Sequence, residues 1–314
     1  MFFERIREKN FIRSTAAAAA AAVMIASGIF CTGASDVAIQ NDVLSRRTLN
    51  AAVEAELESR GLRAYPNQAV TVYVDGEQYE GTTLLIDGTT FVGIREFTML
   101  CEDATVEWVG AEKAVYVTNP RVAIKAVNST EYIMSNGRYF WGVKENFIES
   151  GTMYVPIRAI ASAFGMTVSW NDGEFAAYVS RGDGTVTQWY EYYNGDEVYW
   201  LSKIIEAESR GEPMRGKIAV GNVVLNRVRS PEFPDTIYSV IFDRKYGVQF
   251  SPVADGSIGR DASAESVIAA KLCLEGCSVS DSVLYFINAS AAQDFWVPRH
   301  RPYVTTIGNH DFYA

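Results

Sequence analysis

The stretch Val198–Val228 reads VYWLSKIIEAESRGEPMRGKIAVGNVVLNRV. Leu201, Ile204, Ile205 and Glu208 stand at i, i+3, i+4 and i+7, the spacing of a buried helical stripe. Tyr199, Ser202, Lys203 and Glu206 fall on the opposite face, so Glu206 is expected to be an ordinary surface acid. Gly211 and Pro213 stop the helix, and an apolar periodic run from Ile218 to Val228 starts a second one. Glu208 is thus a carboxylic acid on the inner face of a helix end, beside a turn able to open a cleft. Burial disfavours the charged form and raises the pKa, which suits a general acid. A structural acid, bonded to turn backbone or to Arg210, satisfies the same spacing, and spacing alone leaves both readings open.

Upstream, residues 182–197 carry Gly182, Gly184 and Gly195 among charges and tyrosines, and read as a linker. Before the linker lies an internal repeat. Gly88-Thr89-Thr90-Phe91-Val92-Gly93-Ile94-Arg95 matches Gly151-Thr152-Met153-Tyr154-Val155-Pro156-Ile157-Arg158. Each copy continues through a short helical stretch to Thr-Val-x-Trp, ending at Trp108 and Trp170, and then to Tyr116-Val117 and Tyr178-Val179. Strand, short helix and hairpin make a small α+β unit, and the two copies are expected to pack together. The alternation Val70, Val72, Val74 before Asp75-Gly76 adds a strand and turn. Trp108 and Trp170 read as core residues, with sugar-stacking platforms as the alternative.

The 314 residues carry a formal net charge of −10, which argues against nucleic acid as a partner. Arg5, Arg7, Lys9 and Arg13 precede the apolar run Ala16–Phe30 and the small residues Thr32–Ser35. This reads as a secretory signal peptide over residues 1–34, with an uncleaved anchor as the alternative. Residues 35–68 read as a helical spacer. With Cys31 removed, Cys101, Cys273 and Cys277 remain. Helical spacing gives Cys273 and Cys277 poor disulfide geometry, and neither should be required for activity. The two histidines, His300 and His310, lie near no cysteine pair, so no metal and no cofactor are expected.

Beyond the opening helix pair, residues 249–256 read as a loop and Ala264–Gly276 as a helix. Val283–Ile287 reads as a strand, and Trp296–His310 as a hairpin or extended return.

Two resemblances follow. The pattern Gly-x-x-Tyr-Val-Pro-x-Arg followed by Val-x-Trp, carried by the second repeat copy and with Gly93 in place of proline in the first, resembles the copper amine oxidase N-terminal-like "stalk" domain of exported Gram-positive proteins. It covers about Ala69–Ser180 and implies a spacer or wall-attachment element. Glu208-Ser209-Arg210-Gly211-Glu212-Pro213, Val224-Leu225-Asn226-Arg227-Val228, Gln249-Phe250-Ser251, Leu284-Tyr285-Phe286-Ile287-Asn288 and Gly308-Asn309-His310-Asp311-Phe312 resemble, in order, the SleB/CwlJ-type cell-wall hydrolases, the spore cortex-lytic enzyme family. Asn288-Ala289, followed by Ser290, stands where that family usually has Asn-Pro.

The second resemblance implies a lysozyme-like, mainly helical catalytic domain with a small sheet over residues 198–314. It would act on peptidoglycan glycan strands as a lytic transglycosylase, with Glu208 as the catalytic acid. Gln249, Ser251, Tyr285 and Asn288 become candidate saccharide contacts, and Asp255 and Glu212 possible assistants. The expected whole is an exported α+β multidomain enzyme: repeats over 69–181, linker over 182–197, catalytic domain over 198–314. The two halves are expected to fold and melt independently. A catalytically silent wall-binding or germination-complex protein, and a hydrolase or amidase of other bond specificity, stand as alternatives.

Overall fold

The computed structural model describes residues 70–101, 103–245, 247–288 and 296–314. The signal segment, the spacer, and residues Tyr246, Ala289 and Ser290 lie outside the described residues.

The first repeat copy is preceded by β1 (Thr71–Val74), β2 (Glu77–Gln78) and β3 (Thr83–Ile86). The copy itself is β4 (Thr89–Gly93), α1 (Ile94–Thr98), β5 (Thr105–Val109) and β6 (Ala114–Thr118). Three strands that the sequence pattern did not announce follow: β7 (Ala123–Val127), β8 (Tyr132–Ser135) and β9 (Arg138–Trp141). After β10 (Phe147–Glu149), the second copy is β11 (Thr152–Pro156), α2 (Ile157–Ala163), β12 (Thr167–Asn171) and β13 (Ala176–Ser180).

The copies meet strand to strand. β4 and β11 pair antiparallel at the centre of a sheet ordered β10-β11-β4-β3, with Val92 opposite Val155, its own counterpart in the repeat. A local two-fold axis therefore passes through that valine pair. Gly93 and Pro156 cap the two short helices with nearly the same backbone (φ −66°, ψ 121° against φ −58°, ψ 128°), so glycine does at the first site what proline does at the second. Phe97 and Phe164 close one shared core with Val92, Val117, Val155, Ile160 and Val179. Trp170 packs against that core and bonds Asp172, whereas Trp108 is exposed on edge strand β5, against the expectation of a core residue. The Trp108 strand is covered on one side only, by β6.

Residues 182–197 are not bare linker. They hold α3 (Trp189–Tyr192) and the start of α4 (Gly195–Ser209), whose first turn is capped by Asn194 accepting from the Asp196 amide at 2.9 Å. α5 (Met214–Arg229) and α6 (Ile237–Ile241) follow. The expected loop at 249–256 contains a one-turn helix, α7 (Ser251–Asp255), with Pro252 in its first turn and left-handed Gly256 ending it. Then come α8 (Ala264–Leu274) and β14 (Tyr285–Asn288). The expected extended run from Trp296 begins instead as α9 (Trp296–His300), and only β15 (Tyr303–Ile307) and β16 (His310–Tyr313) form the hairpin. The three-stranded sheet runs β14-β16-β15. Leu201, Ile204 and Ile205 enter a core with Val220, Val224, Ile241, Leu272 and Phe312.

The strand-rich and helical regions share a seam. Arg138 in β9 grips Glu275 at the end of α8 with two bonds, 2.8 and 2.6 Å, and Tyr193 donates to the same carboxylate at 2.6 Å. The guanidinium lies 3.4 Å from the Tyr192 ring centroid. Lys271 donates to the Gly137 carbonyl at 3.2 Å and sits 4.6 Å from the Trp189 ring centroid. Tyr132, Tyr139 and Trp141 pack on the helical core.

Candidate active site

α4 ends where its sequence says it should, at Ser209, and the chain turns through Gly211 and Pro213 into α5. The turn is held from inside. Lys217, 1 % exposed, donates its ammonium to the carbonyls of Ser209, Arg210 and Glu212 at 3.0, 2.8 and 2.7 Å. These are acceptors that a helix end leaves without partners, and a cation is the favoured partner there.

Glu208, in the last turn of α4, lines a cleft of about 1280 Å³. It is half-buried and accepts no hydrogen bond from the described residues. Burial first, and the charge of Asp255 second, push its carboxyl up to about 7, with Arg227 opposing. The same cleft is lined by Gln249, Ser251, Tyr285 and Asn288, residues 41 to 80 positions away in the chain. The loop before α7 carries Gln249, the first turn of α7 carries Ser251, and β14 carries the last two.

Glu206 corrects the surface reading. It is 3 % exposed, with Ser202 and Lys203 buried beside it. Its carboxylate accepts from Ser263 Oγ at 2.6 Å, Ser266 Oγ at 2.8 Å and the Ser263 amide at 3.2 Å, and from Arg210 Nε at 2.5 Å. Burial alone would raise its pKa, but the bonds from Ser263, Ser266 and Arg210 outweigh that and bring it down to about 2. Glu206 is a permanently charged cap on the N-terminus of α8. α4 is covered on both sides, by α5 and α6 and by α8, so its second face is buried from Ser202 to Glu206 and open only at Tyr199.

The two proposed assistants do other work. Asp255 is exposed, is not among the cleft residues, and accepts from the Ser257 amide at 2.8 Å. Glu212 is buried and accepts from the Asn309 amide and side chain at 3.0 and 2.8 Å, tying the α4–α5 turn to the β15–β16 hairpin. Cys273 and Cys277 are free; Cys273 lies in the helical core, and neither lines the cleft.

Sequence reasoning missed four cleft residues. Asp243 and Glu232 add two carboxylates. Trp296, 47 % exposed, stands at the wall with its ring stacked on His300, centroids 4.8 Å apart. Arg227 lies in the floor against Phe233, Phe250 and Tyr285. The available signal for Arg227 was its place on the buried stripe of α5, three and seven residues after Val224 and Val220. A tryptophan beside proline and two basic residues was the signal for Trp296.

A strand-paired module joined to a helical domain, with a half-buried acid in a cleft of about 1280 Å³, is an arrangement that suits cleavage of a polymer. The comparisons with known proteins agree with it. Residues 211–313 match the cell wall hydrolase family, and residues 73–179 match the copper amine oxidase N-terminal domain. The first match begins three residues after Glu208, so it does not include that side chain.

Spore cortex-lytic enzymes of Oceanobacillus iheyensis and Bacillus subtilis are 34 % and 32 % identical over 120 residues, 38 % of this chain and 42 % and 38 % of theirs. The chain thus spans about two fifths of the length of the curated relatives it matches. The solved catalytic domain of the germination-specific lytic transglycosylase SleB from Bacillus anthracis is 34 % identical, with 39 % of this chain and 97 % of that one covered and a TM-score of 0.36. The Bacillus cereus SleB catalytic domain is 34 % identical over 39 % of this chain and 92 % of its own, with a TM-score of 0.35. Despite the first module's name, residues 73–179 contain no histidine, and no group of metal-binding side chains occurs among the described residues; the donor set does not fit copper.

Proposed function

We propose that residues 198–314 form a lysozyme-like domain that cleaves the glycan strands of peptidoglycan between N-acetylmuramic acid and N-acetylglucosamine. The observation that carries this is Glu208: a half-buried carboxyl held near neutrality, without a hydrogen-bond partner among the described residues, in a cleft roomier than a pocket for one small ligand. Relatives named spore cortex-lytic enzymes and a germination-specific lytic transglycosylase support cortex peptidoglycan as the substrate.

Glu208 protonates the oxygen that leaves the muramic C1. As a carboxylate it then takes the proton of the muramic 6-hydroxyl, which closes onto C1, so one acid serves twice. Gln249, Ser251, Tyr285 and Asn288 contact the sugars. The strand repeats attach the enzyme to wall or envelope, and the segment 1–34 exports it. Among the described residues no helix is long and apolar enough to cross a membrane.

A second reading has one observation in its favour. Asp243 lines the same cleft, and two carboxylates across a glycosidic bond can direct water instead. Product analysis on purified peptidoglycan separates the readings. Anhydro-muramic ends support the transglycosylase and reducing ends the hydrolase. Free peptides would mean an amidase, and no product a silent binding protein.

A further inference from the structure

Arg227 leaves α5 near its end and lies in the cleft floor, 5 % exposed. Its guanidinium carbon sits 4.9, 5.1 and 5.4 Å from the ring centroids of Phe233, Phe250 and Tyr285. Nε donates to the Leu284 carbonyl at 2.8 Å. Nη1 is buried with no partner. None of the ion pairs among the described residues involves it. Glu208 and Asp243 share the cleft and feel its charge without pairing with it.

A cation kept from water with one carbonyl and three ring faces is expensive. Ring faces return part of that cost but take no hydrogen bond from the terminal nitrogens in this arrangement. The guanidinium therefore needs an outside acceptor, and its surroundings define which. Glu208, Glu232 and Asp243 line the cleft together with Lys245 and Arg301, so charge does not single out a free anion as that acceptor. A sugar hydroxyl can accept from the guanidinium too, but it makes no use of the three ring faces. An acyl group suits both halves of the site: its oxygen only accepts, and its carbon end lies on the rings.

We propose that Arg227 is a substrate-binding residue whose guanidinium donates to an acyl oxygen of the N-acyl sugar seated against Glu208. The inference rests on the glycan reading of the cleft. A muramyl residue offers two such oxygens, on its 2-acetamido group and on its lactyl side chain.

The test is a substrate-by-enzyme cycle on the full chain. Parent and Arg227→Lys are compared on intact glycan strands, on the same strands after chemical N-deacetylation, and on strands whose peptides have been removed to leave a lactyl carboxylate. Circular dichroism is recorded first. Lysine keeps the charge but lacks the planar pair of donors, so kcat/KM on intact strands should fall at least about tenfold. Arg227→Gln, which removes the buried charge, repeats the comparison should the lysine variant not fold. The penalty should shrink to near unity on N-deacetylated strands if the acetamido oxygen is the partner. It should change on peptide-free strands if the lactyl oxygen is. An equal penalty on all three substrates overturns the proposal. Failure of the parent to cleave intact strands overturns the glycan reading itself, which is a different result.

Discussion

Glu206 and Glu208 are separated by one alanine and do opposite work. Glu208→Gln keeps the shape but has no carboxyl proton, and glycan cleavage should drop at least about a hundredfold in a zymogram or muropeptide assay. Since the proton donor must be protonated, parental kcat/KM should fall as pH rises past about 7, the value to which burial and Asp255 push this acid. The stability effect has a matching sign. The folded state holds an extra proton between the ordinary carboxyl value of 4.5 and about 7, so this group costs more stability as pH climbs through that window. Glu208→Gln should thus melt above the parent at pH 8 and level with it at pH 4; a gain confined to acid pH would contradict the assignment.

Glu206→Gln should instead destabilise, by about 1–3 kcal/mol, because an amide cannot accept all four bonds the carboxylate takes. Its contribution is present above the usual carboxylate range and is lost as pH falls toward 2. The sequence showed which face Glu208 shares, because Leu201, Ile204 and Ile205 mark it. It could not show that the other face is also inside: Lys203 and Glu206 are satisfied by α8 and its approach loop and Ser202 by the Tyr199 carbonyl of its own helix, and polarity alone looks the same in water.

At the level of elements, the helix pair was legible from Gly211 and Pro213, and the repeat from its matched octapeptides. The one-turn helices α7 and α9 were not. Five residues give no period to read, and Pro252 and Pro298, which suit a first helical turn, also suit a loop. The tie between the α4–α5 turn and the last hairpin was hidden for another reason, since Glu212 and Asn309 are 97 positions apart. Gly308 shows how close that approach is. Its φ is +58°, and a Cβ there would run into the Glu212 carboxylate. Gly308→Ala should cost at least about 1 kcal/mol in a denaturant titration, well beyond the usual price of an exposed turn. An unchanged midpoint would mean the hairpin does not press on the turn.

For the whole molecule, the glycines of residues 182–197 suggested two bodies on a string. Their aromatic neighbours were the contrary signal: Trp189, Tyr192 and Tyr193 lie in the seam, around Arg138 and Lys271. Both partners of the Arg138–Glu275 pair are mostly withdrawn from solvent. Arg138→Ala leaves that carboxylate with Tyr193 alone and should cost on the order of 2–3 kcal/mol. Calorimetry should show one transition in the parent and a split transition in the variant. Two separate transitions in the parent would return the halves to independence.

The pairing of Val92 with Val155 has a consequence for ancestry and assembly. A strand that lies antiparallel against its own counterpart is the contact of a symmetric homodimer. At these two strands the first module thus reproduces, within a single fused chain, the contact a symmetric dimer would make, although β13 pairs parallel with β1 whereas β6 pairs antiparallel with β7. The fusion fixes the stoichiometry: each copy finds its mate at the high local concentration of a tether rather than by encounter. It also retires a sticky surface, because β4 and β11 are interior strands with no backbone left to offer a stranger. A single copy released from its twin would recover that appetite and satisfy it only with another molecule.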